Sequence, residues 1–168
     1  MVFGIGDQAL YGIHGVCRIV DSETRMVDAK QVAYLVLEPV GQIGTRYYIP
    51  THNESAMKKL RKMMTKEEMD RLLQSEEVHK VNWIREDYLR KQTYRDLISG
   101  GDRAALMNMV YTLYQHKKTQ AGLGKKVHLC DENFLKDAEK LLSSEISIVM
   151  GMTFDQARSY VRMQLNEK

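Results

Sequence analysis

The 168-residue chain contains two cysteines, two prolines and one tryptophan. Cys17 and Cys130 lie far apart with no CxxC or Cys/His cluster beside them. They cannot form a metal knuckle alone, and a disulfide would be unusual in a reducing compartment, so two buried free thiols are expected. No apolar run approaches the roughly 18–20 residues of a membrane span. The opening "MVFGIGDQAL" lacks a basic segment followed by an apolar one, so no signal peptide is read and the expected location is the cytoplasm.

Catalytic motifs are equally scarce. His14, His52, His79, His116 and His128 fall in no HExxH or other ligand spacing. "GLGKK" at 122–126 resembles a phosphate loop only superficially, since it lacks the GxxxxGK[ST] pattern and follows a helix, not a strand. No G-x-S-x-G nucleophile motif appears, and the carboxylates are scattered. Neither an enzyme nor a cofactor is expected.

The net charge is +3, unevenly spread: −2 over residues 1–56, +6 over 57–131 and −1 over 132–168. A positive middle suits a polyanionic partner. Periodicity divides the chain differently. "QALY", "VCRIVDSET", "QVAYLVLE" and "TRYYI" are rich in β-branched and aromatic residues. Turn chemistry separates them at Gly6-Asp7, His14-Gly15, "MVDA" and "PVGQIG". Short strands joined in this way close into a small antiparallel barrel or a strongly bent sheet. Pro39 and Pro50 fall at strand ends, where a missing N–H is harmless.

After Asn53 the spacing becomes helical: Met57, Leu60 and Met64, then Met69, Leu72 and Leu73, with a capping box at Thr65-x-x-Glu68. A longer helix is predicted from an Asn82 N-cap to Ser99, with Glu86 and Asp87 in its first turn and Gly100-Gly101 stopping it. Asp102 should cap the next helix, with stripe Leu106, Met109, Val110 and Leu113. Asp131 should cap another, with Phe134, Leu135, Ala138, Leu141, Leu142 and Ile146 inward. Gly151 and Thr153 set off a last helix carrying Phe154, Ala157, Val161 and Leu165. The fold class read is α+β in two domains: a Tudor/SH3-like β-barrel over 1–55, a linker with a short helix over 56–76, and an all-α bundle over 77–168.

The string Phe3-x-x-Gly6-Asp7-x-x-x-Tyr11-x-x-His14-Gly15, followed by "YLVLE" and "IP", resembles the CarD family of bacterial transcription regulators. The first domain of that family is shared with the transcription-repair coupling factor. The second half is similar too, through "NW" at 82–83, "SGGD" at 99–102, "ALMNMVYTLYQHKK" and "LKDAEKLLSSEIS". The coupling factor would continue into a motor, and this chain has no P-loop.

The resemblance implies a Tudor-like domain docking on the RNA polymerase β subunit and a helical domain touching promoter DNA at the upstream edge of the transcription bubble, so that the open complex is stabilised. It puts one polymerase-contacting arginine on Arg25. A second family arginine falls on Tyr48, and Arg46, two positions earlier and on the same strand face, could substitute. The DNA-facing tryptophan falls on Trp83 and the arginine after it on Arg85. Glu86, Asp87, Glu132 and Asn133 stand where basic residues are common, so phosphate contacts are expected from Arg90, Lys91, Lys117, Lys118, Lys125 and Lys126. A monomer of low sequence specificity and no membrane contact is expected. The alternative is a polymerase-bound adaptor whose helices recruit another protein.

Overall fold

The computed structural model describes residues 3–166; the outer bounds of the two expected domains, 1–2 and 167–168, lie outside the described residues. The chain divides into two compact units, up to Met63 and from Met64.

The first unit is a five-stranded antiparallel sheet. Its strands are β1 (Gln8–Tyr11), β2 (Val16–Val27), β3 (Lys30–Pro39), β4 (Tyr47–Pro50) and β5 (Leu60–Lys62), in the order β4-β3-β2-β1-β5. The expected barrel is therefore not closed, because β4 and β5 each pair on one side only. These end strands span four and three residues, too little ladder to join the two edges. The sheet bends instead. A bulge between Ile19 and Asp21 breaks the β2–β3 register, and such bulges sharpen local twist. Ile49 from one edge and Leu60 from the other then share a core with Ala9, Cys17, Ile19, Leu35 and Leu37. The β2–β3 turn falls at Asp28 and Ala29, both at positive φ (49° and 61°), the pairing a two-residue hairpin needs to match strand twist.

Helical spacing misled at Leu60. Asn53 does cap a helix, α1 (Glu54–Met57), by accepting from the Ala56 N–H. That helix lasts four residues, and Leu60 goes into β5, paired with Tyr11 of β1. The open edge of β1 offered unpaired backbone groups, and satisfying them outweighed a weak helical stripe. The stretch expected as linker is thus partly sheet.

The second unit holds α2 (Lys66–Leu73), α3 (Asp87–Gly100), α4 (Arg103–Gly122), α5 (Leu129–Met150) and α6 (Phe154–Asn166). Thr65 and Glu68 form the predicted reciprocal capping box. Asp102 caps α4 through the Ala105 N–H, and Thr153 with Gln156 closes a second reciprocal box at α6. Gly101 and Gly151 both end helices in the left-handed region.

One core joins all five helices, including Met69, Tyr94, Leu113, Phe134, Leu142, Val161 and Leu165. Within it α5 carries three buried carboxylates, each paired with an arginine from a different helix. Asp131 takes Arg90 of α3, Glu139 takes Arg162 of α6, and Glu145 takes Arg103 of α4. Buried ion pairs are a weak source of net stability but strongly unfavourable when broken, which applies to Arg90–Asp131 and Arg103–Glu145, whereas Arg162 is about half exposed. Here they select one arrangement of α3, α4 and α6 around α5.

Candidate functional site

On the first unit, Arg25, Arg46 and Tyr48 come together. The β2–β3–β4 register puts Arg25, Val32, Val36 and Tyr48 on the sheet face opposite Leu35 and Leu37. The Arg25 guanidinium lies over the Tyr48 ring at 4.4 Å, and Tyr34 meets the same ring edge-on at 6.5 Å. Arg25 pairs with Glu23 at 2.8 Å and Arg46 with Glu38 at 2.9 Å. Both arginines stay about half exposed, at 51% and 49%. Each is thus ordered by an acid that a partner carboxylate could displace, at small cost because exposed pairs are screened by solvent and contribute little. Arg46 lies just before β4, so strand alternation does not set its direction; it pairs with Glu38 and is close enough to Tyr48 to interact with it.

A second aromatic group, Tyr11, His14 and Tyr47, packs with ring centroids 4.1–5.7 Å apart. Rings in such direct contact leave no room for a cation between them, so this is packing and not an aromatic cage. Burial lowers the His14 pKa, with Lys59 adding to the effect. Cys17 is buried and its thiol is pushed up to about 11, which leaves it inert; Cys130 is only half-buried, against the expectation of two buried thiols.

On the second unit, Trp83 does not sit in a helix. The helix expected from Asn82 begins at Asp87, with Glu86 as N-cap, and residues 81–85 adopt no regular secondary structure. The Asn82 N–H is used elsewhere, donating to Thr112 Oγ1 on α4 at 3.1 Å. That contact lays the segment across α4 and puts the half-buried Trp83 against His116, rings stacked at 3.6 Å and 11°. Arg90 places its guanidinium over the same indole at 4.5 Å.

Arg90 is a correction. Expected at a phosphate, it is 2% exposed and points inward. It donates to both carboxylate oxygens of Asp131, at 2.9 and 3.1 Å, and to the Ile84 carbonyl and Asp87. Four of its five N–H donors are thus spent inside the protein, and at 2% exposure the group does not reach a phosphate. Asp131 is corrected with it. α5 starts at Leu129 with His128 at the N-cap, and Asp131 lies wholly buried within the first turn. The acidic Asp87, unexpected next to a tryptophan that the family resemblance would turn toward DNA, is accounted for too: Arg90 binds it and holds its carboxyl below the usual range.

Arg85, Lys125 and Lys126 are exposed, and Lys91 is half-buried. Lys117 and Lys118 are exposed but line a separate cleft of about 500 Å³, with Lys136, Glu139 and Arg162, of which Trp83 is not part. Lys118 donates to the Asn166 carbonyl at the end of α6, so it completes a helix C-terminus. Among the described residues, no group of three or more His, Cys, Asp or Glu is placed to hold a metal ion, and no helix is long and apolar enough to cross a membrane.

His116 went unread in the sequence, although it continues the Leu106–Met109–Leu113 stripe at helical spacing. Its pKa is lowered, chiefly by burial, with Arg90 and His128 acting in the same direction and Asp131 opposing them. The folded value lies below the unfolded one, so neutral His116 supports the stack above the unfolded pKa of about 6.5. That support is lost as pH falls through the folded value. Fluorescence of the sole tryptophan is therefore expected to change on acidification with a midpoint below about 6.5. A flat profile, or one lost in His116→Gln only through unfolding, would count against the stack as the titrating element.

Residues 3–64 match the family described as the CarD-like/TRCF RID domain, a span that coincides with the first unit. A comparison with curated proteins found no match for the chain.

Proposed function

We propose that the protein, whose residues 3–64 match the CarD-like/TRCF RID domain, is a transcription regulator held on the RNA polymerase β subunit by its first unit and acting on promoter DNA through its helical one. It performs no chemistry; it shifts the equilibrium between closed and open promoter. A factor shifts such an equilibrium only by binding one state better. The observation that carries the DNA half of the reading is Trp83. It is a large aromatic side chain, held by its neighbours but still part-exposed, on an irregular segment next to the exposed cation of Arg85.

An apolar wedge in the minor groove costs about a few kcal/mol of unstacking in intact duplex. At a bubble edge the base steps are already distorted, so the same contact costs less there. Arg85, Lys91, Lys125 and Lys126 supply phosphate affinity that weakens with salt. Tethering by the first unit raises the local concentration of the second at the promoter to about millimolar, so weak DNA contacts suffice and sequence specificity is low.

Arg25, Arg46 and Tyr48 are the docking face in this reading. With cognate polymerase, the protein is expected to lengthen open-complex lifetime on a forked promoter. Arg25→Glu should abolish the effect and weaken binding to an isolated β-subunit lobe at least about tenfold, a difference of about 1.4 kcal/mol. Full-strength lobe binding by this variant would move the docking face elsewhere. An unchanged lifetime with the wild-type protein would sink the reading as a whole.

One feature favours the adaptor as a second reading. Met152, Tyr160 and Met163 line an apolar hollow of about 620 Å³ on α6 and the turn before it. Absence of any polymerase-dependent contact to forked DNA, with lobe binding intact, would select it.

A further inference from the structure

Arg90 joins three things through one planar group: the face of the Trp83 indole, the carbonyl of Ile84 next to it, and the buried Asp131 of α5. His116 stacks on the same indole at 3.6 Å. Two planar groups centred 3.6 and 4.5 Å from one ring cannot share a face without overlapping, so they lie on opposite sides of it. Both π-faces are therefore occupied before any partner arrives. We propose that Arg90, fixed by Asp131, is the positioning residue of Trp83. It clamps the indole against His116, so that a partner meets the edge of the ring and never its face.

The proposal deepens the DNA reading and rests on it for its functional consequence. A side chain that intercalates by stacking needs a free face, and Trp83 has none without breaking its clamp. A rigid edge needs no ordering on binding, so more of the contact energy remains for discriminating open from closed promoter. Lysine would not replace Arg90, since a point charge lacks the planar fork that reaches the indole, the carbonyl and Asp131 together.

The test uses the full chain with Arg90→Met and Asp131→Leu combined, because replacing both members of a buried pair by apolar groups is often tolerated whereas removing one is not. Arg90→Lys serves as the second variant and decides the matter if the pair fails to fold. Expected is retained helix content, a red-shifted Trp83 emission and easier quenching by acrylamide. Open-complex lifetime should fall as far as in Trp83→Ala alone, about ten- to a hundredfold, with no further fall when Trp83→Ala is added. Unchanged emission and quenching in a folded variant would overturn the clamp. So would a full lifetime in a variant whose indole has loosened. If Trp83→Ala alone leaves the lifetime unchanged, the DNA reading fails, while the fluorescence still decides whether Arg90 positions the ring.

Discussion

Replacing Trp83 with alanine is expected to shorten open-complex lifetime about ten- to a hundredfold, the loss of roughly 1.4–2.8 kcal/mol of preference for the melted promoter. Polymerase binding should be untouched, because the proposed docking residues Arg25, Arg46 and Tyr48 belong to the other unit. The lifetime is measured by challenging preformed complexes with a competitor, on forked and on intact promoter. The effect should be larger on intact promoter, where the factor must hold open a junction that forked DNA already supplies. Trp83 also packs against the helical core, so alanine will cost some stability. A half-buried side chain gives up at most about 1–3 kcal/mol, against the 5–15 kcal/mol typical of a folded domain. Circular dichroism separates the two effects, since a folded variant with a short lifetime has lost the DNA contact itself. A folded variant with wild-type lifetime would remove Trp83 from the interface.

The largest stability effect is expected at Asp131. Asp131→Ala leaves the Arg90 guanidinium, 2% exposed, without its main counter-charge. Breaking a buried pair from one side costs about 3–5 kcal/mol. The lower end applies here, because Asp87 and the Ile84 carbonyl still accept from Arg90. For a unit of about 100 residues this corresponds to a melting temperature lower by roughly 12 °C or more, at 4–8 °C per kcal/mol. Removing both charges with the Arg90→Met, Asp131→Leu pair should restore most of the loss, because the penalty comes from the orphaned charge and not from any large net worth of the pair. A single variant that melts like the wild type would show that water reaches Arg90. An equally poor double variant would show that the pair contributes net stability. Either result would change the account of α5 as the element that fixes its neighbours through buried acids.

These residues also show where sequence reading works and where it stops. Short-range signals were legible. Thr65 and Glu68 form their capping box, Asp102 caps its helix, Gly101 and Gly151 end theirs, and the turn at "MVDA" is a hairpin. Each depends on a few consecutive residues whose backbone preferences act locally. The pattern of Phe134, Ala138, Leu142 and Ile146 likewise placed one face of α5 in the core, because burial follows helical period directly.

Leu60, Arg90, Asp131 and Trp83 were decided otherwise. Leu60 became a strand because a distant strand had an unpaired edge. Asp131 reads locally as an N-cap and Arg90 as a surface cation, and both readings are chemically sound for each residue alone. They fail because α3 and α5 bring the two within 2.9 Å, where pairing removes the reason for either to face water. That same contact puts a guanidinium on the only tryptophan. The sequence by itself determined the first four strands, the succession of main helices after them, several caps and glycine stops, and the family match of residues 3–64, since these follow from local chemistry and from motif. Only the tertiary structure decided which charges are buried and how Trp83 is held, because those depend on contacts between separate segments, Arg90 with Asp131 and Trp83 with His116.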